Sequence, residues 1–88
     1  MARYEFRSTE NAPLGNAADG DTLFQLGLRY SVAASTPDDR MTAHKWFNIA
    51  AMRGNVEAAR LRREIAEEMS AFEIAAAQRA ARDWITRH

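Results

Sequence analysis

The sequence predicts an all-α fold of four helices that follow an irregular N-terminal arm. Apolar residues recur at the three- and four-residue spacing of a helix face. Residues typical of helix starts and ends separate these segments. We place the helices at 20–33, 37–53, 56–68 and 71–86 and the arm at 1–19, so that residues 20–88 form one helical domain. The 88 residues are enough for one small domain and too few for two.

The arm, residues 1–19, contains proline and glycine and shows no helical period. Three large apolar residues, Tyr4, Phe6 and Leu14, interrupt its polar sequence. Two interpretations stay open, because chain termini often fray while apolar residues favour burial. The arm is either a flexible tail or a segment that folds back onto the helical domain.

The first helix has an apolar face and a clear start. Its face carries Leu23, Leu26, Gly27 and Tyr30, at positions i, i+3, i+4 and i+7. Asp19 or Asp21 is placed to cap its first amides. The second helix begins at Thr36-Pro37. A threonine hydroxyl can accept a hydrogen bond from a first-turn amide that has no partner within the helix, and proline is favoured in the first turn.

The second and third helices are separated by Gly54 and Asn55. Glycine ends a helix by adopting the left-handed conformation, and asparagine caps the next helix. The predicted apolar face of the second helix is Ala43, Trp46, Phe47, Ala50 and Ala51. That of the third is Ala58, Leu61, Ile65 and Met69. Because the connection is so short, the two helices are expected to be antiparallel neighbours.

Charged residues of opposite sign lie four positions apart on the third and fourth helices. The i, i+4 spacing predicts ion pairs of Arg60 with Glu64, Arg63 with Glu67 and Arg79 with Asp83. The fourth helix begins with a capping box, in which Ser70 and Glu73 each satisfy the other's free amide. Its predicted apolar face is Ile74, Ala77, Ala81, Trp84 and Ile85.

The composition narrows the classes of function. Hydrophobic residues make up 47% of the chain, which is enough for a packed core. Twelve Lys and Arg residues balance 12 Asp and Glu residues, and this balance argues against a nucleic-acid binder. The chain has no cysteine, which excludes disulfides, thiolate zinc sites and cysteine nucleophiles.

No segment has the apolar character of a membrane or secretion signal. The longest apolar stretches fall well short of the ~18 residues that span a bilayer, so we expect no membrane insertion. The first residues also lack the apolar run of a signal peptide. We therefore expect a cytoplasmic protein, and a periplasmic location is the alternative if the sequence is a piece of a longer precursor.

Two blocks, "LGLRY" at 26–30 and "AHKWFNIAAMRGNVEA" at 43–58, combine small and large residues at fixed spacing. The matching residues are Leu26, Gly27, Tyr30, Ala43, Trp46, Phe47, Ala50, Ala51, Gly54, Asn55 and Ala58. Residues 22–61 resemble the Sel-one-like repeat, an α/α repeat related to tetratricopeptide repeats. The resemblance implies one full repeat, with the third helix beginning a truncated second repeat and the fourth capping it. It also implies protein–protein interaction, typically in bacterial signalling or envelope-associated complexes.

The same blocks have a physical interpretation that does not depend on the family. Glycine and alanine let helices approach closely, and the large residues fill the gaps beside these contacts. Two features depart from the family pattern: the loop before Pro37 has no glycine-rich turn, and only one full repeat is present. A single repeat cannot bury its own apolar faces. The third and fourth helices are therefore expected to supply the missing burial.

No arrangement of residues predicts catalysis. The two histidines, His44 and His88, stand apart from any nucleophile, and His44 is expected to be a surface or packing residue. No spacing suits a metal site, and the scattered glycines form no phosphate loop. The acidic "EIAEEM" segment is interpreted as a solvated helix face with internal ion pairs. We expect a protein without enzymatic activity, metal or cofactor.

The most informative feature is a second apolar strip on the first helix. Phe24 and Leu28 lie about 100° around the helix from its core face. Either the arm covers them, or a partner does, or both residues are core in a compact bundle. We predict that Phe24, Leu28, Tyr4 and Phe6 bind a partner.

These features predict a non-enzymatic adaptor that binds another protein or itself in a bacterial signalling or regulatory complex. The alternative is a small regulatory protein associated with nucleic acid. It would use Arg60, Arg63, Arg79 and Arg82.

Overall fold

The computed structural model describes residues 19–32 and 36–87. Four α-helices account for most of them: α1 (Gly20–Val32), α2 (Pro37–Met52), α3 (Val56–Ala66) and α4 (Ala71–Arg87). The predicted all-α fold is confirmed, and the described residues contain no β-strand. Of the predicted arm, only Asp19 is described, and residues 1–18 lie outside the described part of the chain.

The helix boundaries differ little from the predicted ones, and the largest difference is at α3. This helix ends at Ala66 rather than at residue 68. Beyond Ala66 the backbone tightens, because the amides of Glu67, Glu68 and Met69 bond to carbonyls three residues earlier. Such three-residue bonds satisfy the last carbonyls of a helix and lead the chain into a turn.

The start of α1 resolves the choice between the two candidate caps. The Asp19 carboxylate accepts a hydrogen bond from the Thr22 amide at 2.8 Å, so Asp19 is the N-cap. This bond is the main reason that the pKa of Asp19 is lowered. Asp21 accepts instead from the Asn55 side-chain amide at 3.0 Å, which ties the beginning of α1 to the beginning of α3.

The caps predicted for α2 and α4 are present. The Thr36 hydroxyl accepts from the Asp39 amide at 3.1 Å, with Pro37 in the first turn. In α4 the capping box is complete. The Glu73 backbone amide donates a hydrogen bond to the Ser70 hydroxyl at 3.1 Å, and the Ser70 backbone amide donates one to the Glu73 carboxylate at 3.1 Å. Two amides that would lack partners are therefore satisfied at the start of α4.

The turn between α2 and α3 matches its prediction in detail. Gly54 has φ +100°, in the left-handed region that glycine adopts without a Cβ penalty. The Asn55 amide donates to the Ala50 carbonyl at 3.0 Å and the Gly54 amide to the Ala51 carbonyl at 3.1 Å. This pair of bonds is a Schellman motif. The Asn55 side chain then caps α3 by accepting from the Ala58 amide at 2.8 Å.

The centre of the fold is α2, because α1, α3 and α4 each pack chiefly against it. The sequence predicted a single apolar face on this helix, and that prediction was too narrow. Buried residues occur all around the helix: Met41, Thr42, Ala43, His44, Lys45, Trp46, Phe47, Ile49 and Ala50. Packing against three helices buries several sides at once, so polar side chains are buried together with apolar ones.

Trp46 and Trp84 join α2 to α4 in the core. Both are buried, and their rings meet edge to face with 5.4 Å between centroids and an interplanar angle of 81°. This geometry is favoured because the positive edge of one ring meets the negative face of the other. The Lys45 ammonium lies 4.2 Å from the centroid of the Trp46 ring, which offsets part of the cost of burying that charge.

The faces predicted for α3 and α4 point into the protein. Ala58, Ala77, Ala81 and Trp84 are buried, and Leu61, Ile65, Met69, Ile74 and Ile85 are half-buried. Met69 belongs to a second, smaller cluster formed around Met41, Ala76 and Ala77.

The contact between α1 and α2 depends on Gly27. A Cβ atom at this position would lie 2.5 Å from Cδ1 and Cε1 of the Phe47 ring. Contacts under 3.0 Å are essentially never made by real Cβ atoms. The close contact predicted at Gly27 is therefore present, but the Phe47 ring makes it, whereas the sequence placed that ring in the gaps beside such contacts.

Candidate functional site

The α1 surface, defined here as Phe24, Leu28 and Val32, runs along one side of the edge helix. These residues occupy successive turns of α1, and the last of them is exposed. Phe24 and Leu28 are half-buried against the core, and Val32 is 82% exposed. The α1 surface is thus continuous with the core at one end and open at the other.

Phe24 contacts the core through Phe47. Their ring centroids are 5.9 Å apart and tilted by 43°. Phe24 therefore packs against the core, as in the compact-bundle alternative, and keeps part of its surface outside it. Tyr4 and Phe6, predicted to share in partner binding, lie outside the described residues, and their role stays a prediction.

The remaining large residues of α1 show how little of this helix is enclosed. Only Leu23 is fully buried, whereas Leu26 and Tyr30 are half-buried. Asp21, Gln25 and Arg29 are exposed at successive turns and form a polar strip that adjoins the α1 surface. Since α1 packs chiefly against α2, its apolar side has one main helical neighbour among the described residues.

The residues of the family-like blocks lie at helix contacts and at the turn. Gly27, Ala43, Trp46, Phe47, Ala50 and Ala58 are buried, while Leu26, Tyr30 and Ala51 are half-buried. Gly54 is exposed in the turn after α2. These positions build the helix contacts, which is the physical role predicted for them.

His44 is a packing residue in the interior. It is 3% exposed, and its Nδ1 atom has no hydrogen-bond partner in the described part of the chain. Burial, with a smaller contribution from the Arg62 charge, lowers the pKa of His44 from 6.5 to about 4. The imidazole is therefore neutral at pH 7. Within the described residues, no group of three His, Asp or Glu side chains is placed to hold a metal ion.

The ion pairs predicted for α3 are formed only at Arg60, as far as the described residues show. Its guanidinium contacts the Glu64 carboxylate at 2.6 Å and also the carboxylate of Glu57, one turn earlier. The Arg60 hydrogen bond lowers the pKa of Glu57. Arg63 and Glu67, both described and both exposed, do not form the predicted pair.

The arginines of α4 also remain apart from their predicted partner. Within the described helix α4, Arg79 and Asp83 form no ion pair, and Arg82 is exposed nearby. The four arginines of the nucleic-acid alternative are thus divided between two helices. One of them, Arg60, is already neutralised by two carboxylates.

A groove of about 400 Å³ lies between α2 and α4 and was not predicted from the sequence. Its lining residues are Asn48, Met52, Gln78, Ala81, Arg82 and Ile85. The α4 residues follow the i, i+3, i+4, i+7 spacing of one helix face, which is a usable signal. The predicted apolar face of α4 included Ala81 and Ile85 but omitted their polar neighbours, and so it missed the groove.

On the other side of the groove, Asn48 is fixed by α3. Its Oδ1 atom accepts a hydrogen bond from Arg62 at 2.8 Å. Met52 lies one helical turn after Asn48 and is 62% exposed, which is unusual for so large an apolar side chain. We refer to this feature as the α2–α4 groove.

Comparison with protein-family models, curated proteins and solved structures gives no significant match to this chain. The resemblance to Sel-one-like repeats therefore rests on the residues of the two blocks alone. Among the described residues, no helix is long and apolar enough to cross a membrane.

Proposed function

We propose that this chain is a non-enzymatic helical adaptor that binds another protein, or a second copy of itself, through the α1 surface. The observation that carries the proposal is the partial burial of α1. Of its six large apolar or aromatic residues, Leu23 alone is fully buried. A terminal helix of an α/α array has a polar outer face when nothing packs on it, so an apolar outer side indicates a further packing partner.

The composition of the α1 surface suits a protein partner. An aromatic ring and two aliphatic side chains in line match the i, i+4, i+8 anchors by which helices pack together. Apolar area removed from water contributes about 25 cal/mol per Å² to binding. Phe24 is the expected anchor, because contact with Phe47 holds its ring in place before a partner arrives.

The finer parts of the proposal rest on the sequence resemblance. They are membership of the Sel-one-like repeats and a role in a bacterial signalling or regulatory complex. The packing of Gly27 against Phe47 supports the first of these, since both residues belong to the blocks that resemble the family. The proposed cytoplasmic location fits instead the absence of cysteine from the chain.

The test compares surface variants in two measurements. Light scattering over a concentration series detects self-association, and a pull-down followed by mass spectrometry detects a different partner. Val32→Glu is the main variant because an 82% exposed residue contributes little to folding. Phe24→Ser and Leu28→Ser extend the test toward the core. Val56→Glu, the same substitution at an 83% exposed valine on α3, is the matched control.

We expect Val32→Glu and Phe24→Ser to weaken binding by about tenfold or more, as hot-spot substitutions do. Val56→Glu should bind like the parent. Thermal melting followed by circular dichroism checks that each variant is folded. If folded Val32→Glu, Phe24→Ser and Leu28→Ser all bound the partner as tightly as the parent, the α1 surface would be the wrong one.

A further inference from the structure

The α2–α4 groove combines an apolar part with a polar part whose described residues carry no negative charge. Met52, Ala81 and Ile85 supply its apolar lining, while Asn48, Gln78 and Arg82 supply polar atoms. Among the described residues no Asp or Glu lines the groove, although the chain has as many of these residues as of Lys and Arg. Of the six described lining residues, Arg82 alone carries a full charge, and that charge is positive.

The orientation of Asn48 is set by chemistry. The guanidinium of Arg62 has only donors, so the carbonyl oxygen of Asn48 must face it across the 2.8 Å hydrogen bond. The amide nitrogen of Asn48 is then left to donate on its other side. Together with Arg82, it gives the groove hydrogen-bond donors at both walls.

Donors beside a positive charge select a carboxylate, because charge-assisted hydrogen bonds to a carboxylate are about twice as strong as neutral ones. The apolar lining selects an aliphatic neighbour for that carboxylate. Met52 suits this role, since a flexible thioether side chain adapts to different apolar shapes.

The size of the groove favours a short segment. A volume of about 400 Å³ holds a few side chains and is too small to enclose a helix. We infer that the α2–α4 groove binds a short segment of a partner protein in which a carboxylate side chain stands next to an aliphatic one. The groove involves α2 and α4, so this site is separate from the α1 surface.

The test selects peptides from a random displayed library against the full chain and measures their affinities by fluorescence anisotropy. We expect the selected sequences to be enriched in Asp or Glu beside Leu, Ile or Val. Arg82→Glu and Met52→Glu should each lower the affinity by about tenfold or more. Their controls are Arg79→Glu, the same charge reversal one turn away on α4, and Val56→Glu, a residue that is 83% exposed outside the groove.

Several results would overturn the inference. One is selected peptides that lack acidic residues, or that bind Arg82→Glu as well as Arg79→Glu. Another is octanoate shifting the Asn48 and Gln78 amide signals in nuclear magnetic resonance spectra while no peptide does, because the ligand is then a small carboxylate. Self-association abolished by Arg82→Glu, or Overhauser contacts from residues 1–18 to Met52, would identify a different occupant.

The two proposals fail separately. Peptides that lose binding in Phe24→Ser but not in Arg82→Glu would support the α1 surface and overturn the groove. Peptides with the opposite response would support the groove whatever the fate of the α1 surface.

Discussion

Replacing Gly27 with alanine should destabilise this protein, although alanine is the better helix former. The added Cβ would stand 2.5 Å from two carbon atoms of the Phe47 ring, so either the ring or the helix must move. The ring has little room, since Phe47 is 1% exposed. Any movement of the ring also disturbs its contact with Phe24, whose centroid lies 5.9 Å away.

Two effects of opposite sign decide the magnitude. Exchanging glycine for alanine within a helix stabilises it by about 1 kcal/mol. Inserting a methyl group into a packed core costs about 1–3 kcal/mol. The net loss is then up to about 2 kcal/mol, and each kcal/mol lowers the Tm of a domain this small by about 4–8 °C. Gly27→Val should lose more, because it adds two further methyl groups and a β-branched side chain.

The assay is a double-mutant cycle by urea denaturation. The four proteins are the parent, Gly27→Ala, Phe47→Leu and the double variant. In the Phe47→Leu background the ring is gone, so alanine should show its helix preference and raise the free energy of unfolding by up to about 1 kcal/mol. The double variant should therefore be more stable than the sum of the two single substitutions predicts.

The close approach of α1 to the Phe47 ring would be refuted if Gly27→Ala alone raised the Tm. It would also be refuted if alanine changed the free energy of unfolding equally in both backgrounds. Either result would mean that the ring does not occupy the space beside Gly27.

Three further predictions concern the core, the caps and pH. Trp46→Ala should lower the free energy of unfolding by roughly 3–5 kcal/mol; Phe72→Ala, at a 66% exposed position, is the control and should be near neutral in the same denaturation experiment. Ser70→Ala removes the hydroxyl that caps α4 and should cost about 1 kcal/mol in thermal melting; no change would mean that water replaces the cap. The pKa of His44 is about 4 when folded and 6.5 ordinarily, so the unfolded state binds its proton more readily. The contribution of neutral His44 to the free energy of unfolding is complete above pH 6.5. It is lost as pH falls toward 4, by up to about 3 kcal/mol. Urea denaturation at pH 7 and pH 4.5 should therefore show a smaller acid loss in His44→Leu than in the parent, and equal losses would contradict this.

The features that were predicted correctly are local ones. The caps at Thr36, Ser70 and Asn55 depend on residues within one turn, and so does the backbone conformation of Gly54. A sequence contains all the information needed for such features. A close contact at Gly27 was also predictable, because a glycine within an apolar helix face costs helix stability and is typical of a tight contact with a neighbouring element. That the neighbour is the Phe47 ring follows only from how α1 and α2 are placed.

The features that were missed depend on how the helices are placed. His44 and Lys45 are polar, and nothing local predicts that they are buried when three helices surround α2. The α2–α4 groove exists only because α2 and α4 lie side by side. The ion pairs were predicted only in part. Arg60 has a carboxylate one turn away in each direction and forms both pairs. Arg63 has a single carboxylate one turn away, and one exposed pair does not offset the side-chain entropy lost in forming it.

The position of α2 at the centre has a consequence for how the protein opens. Each outer helix is held chiefly by α2, so any one of them can detach while the other two stay in place. The backbone amides of α1, α3 and α4 can then exchange with deuterium through such partial openings. Those of α2 become accessible only when the whole domain unfolds. The slowest exchange rates should therefore belong to α2, and they report the global free energy of unfolding.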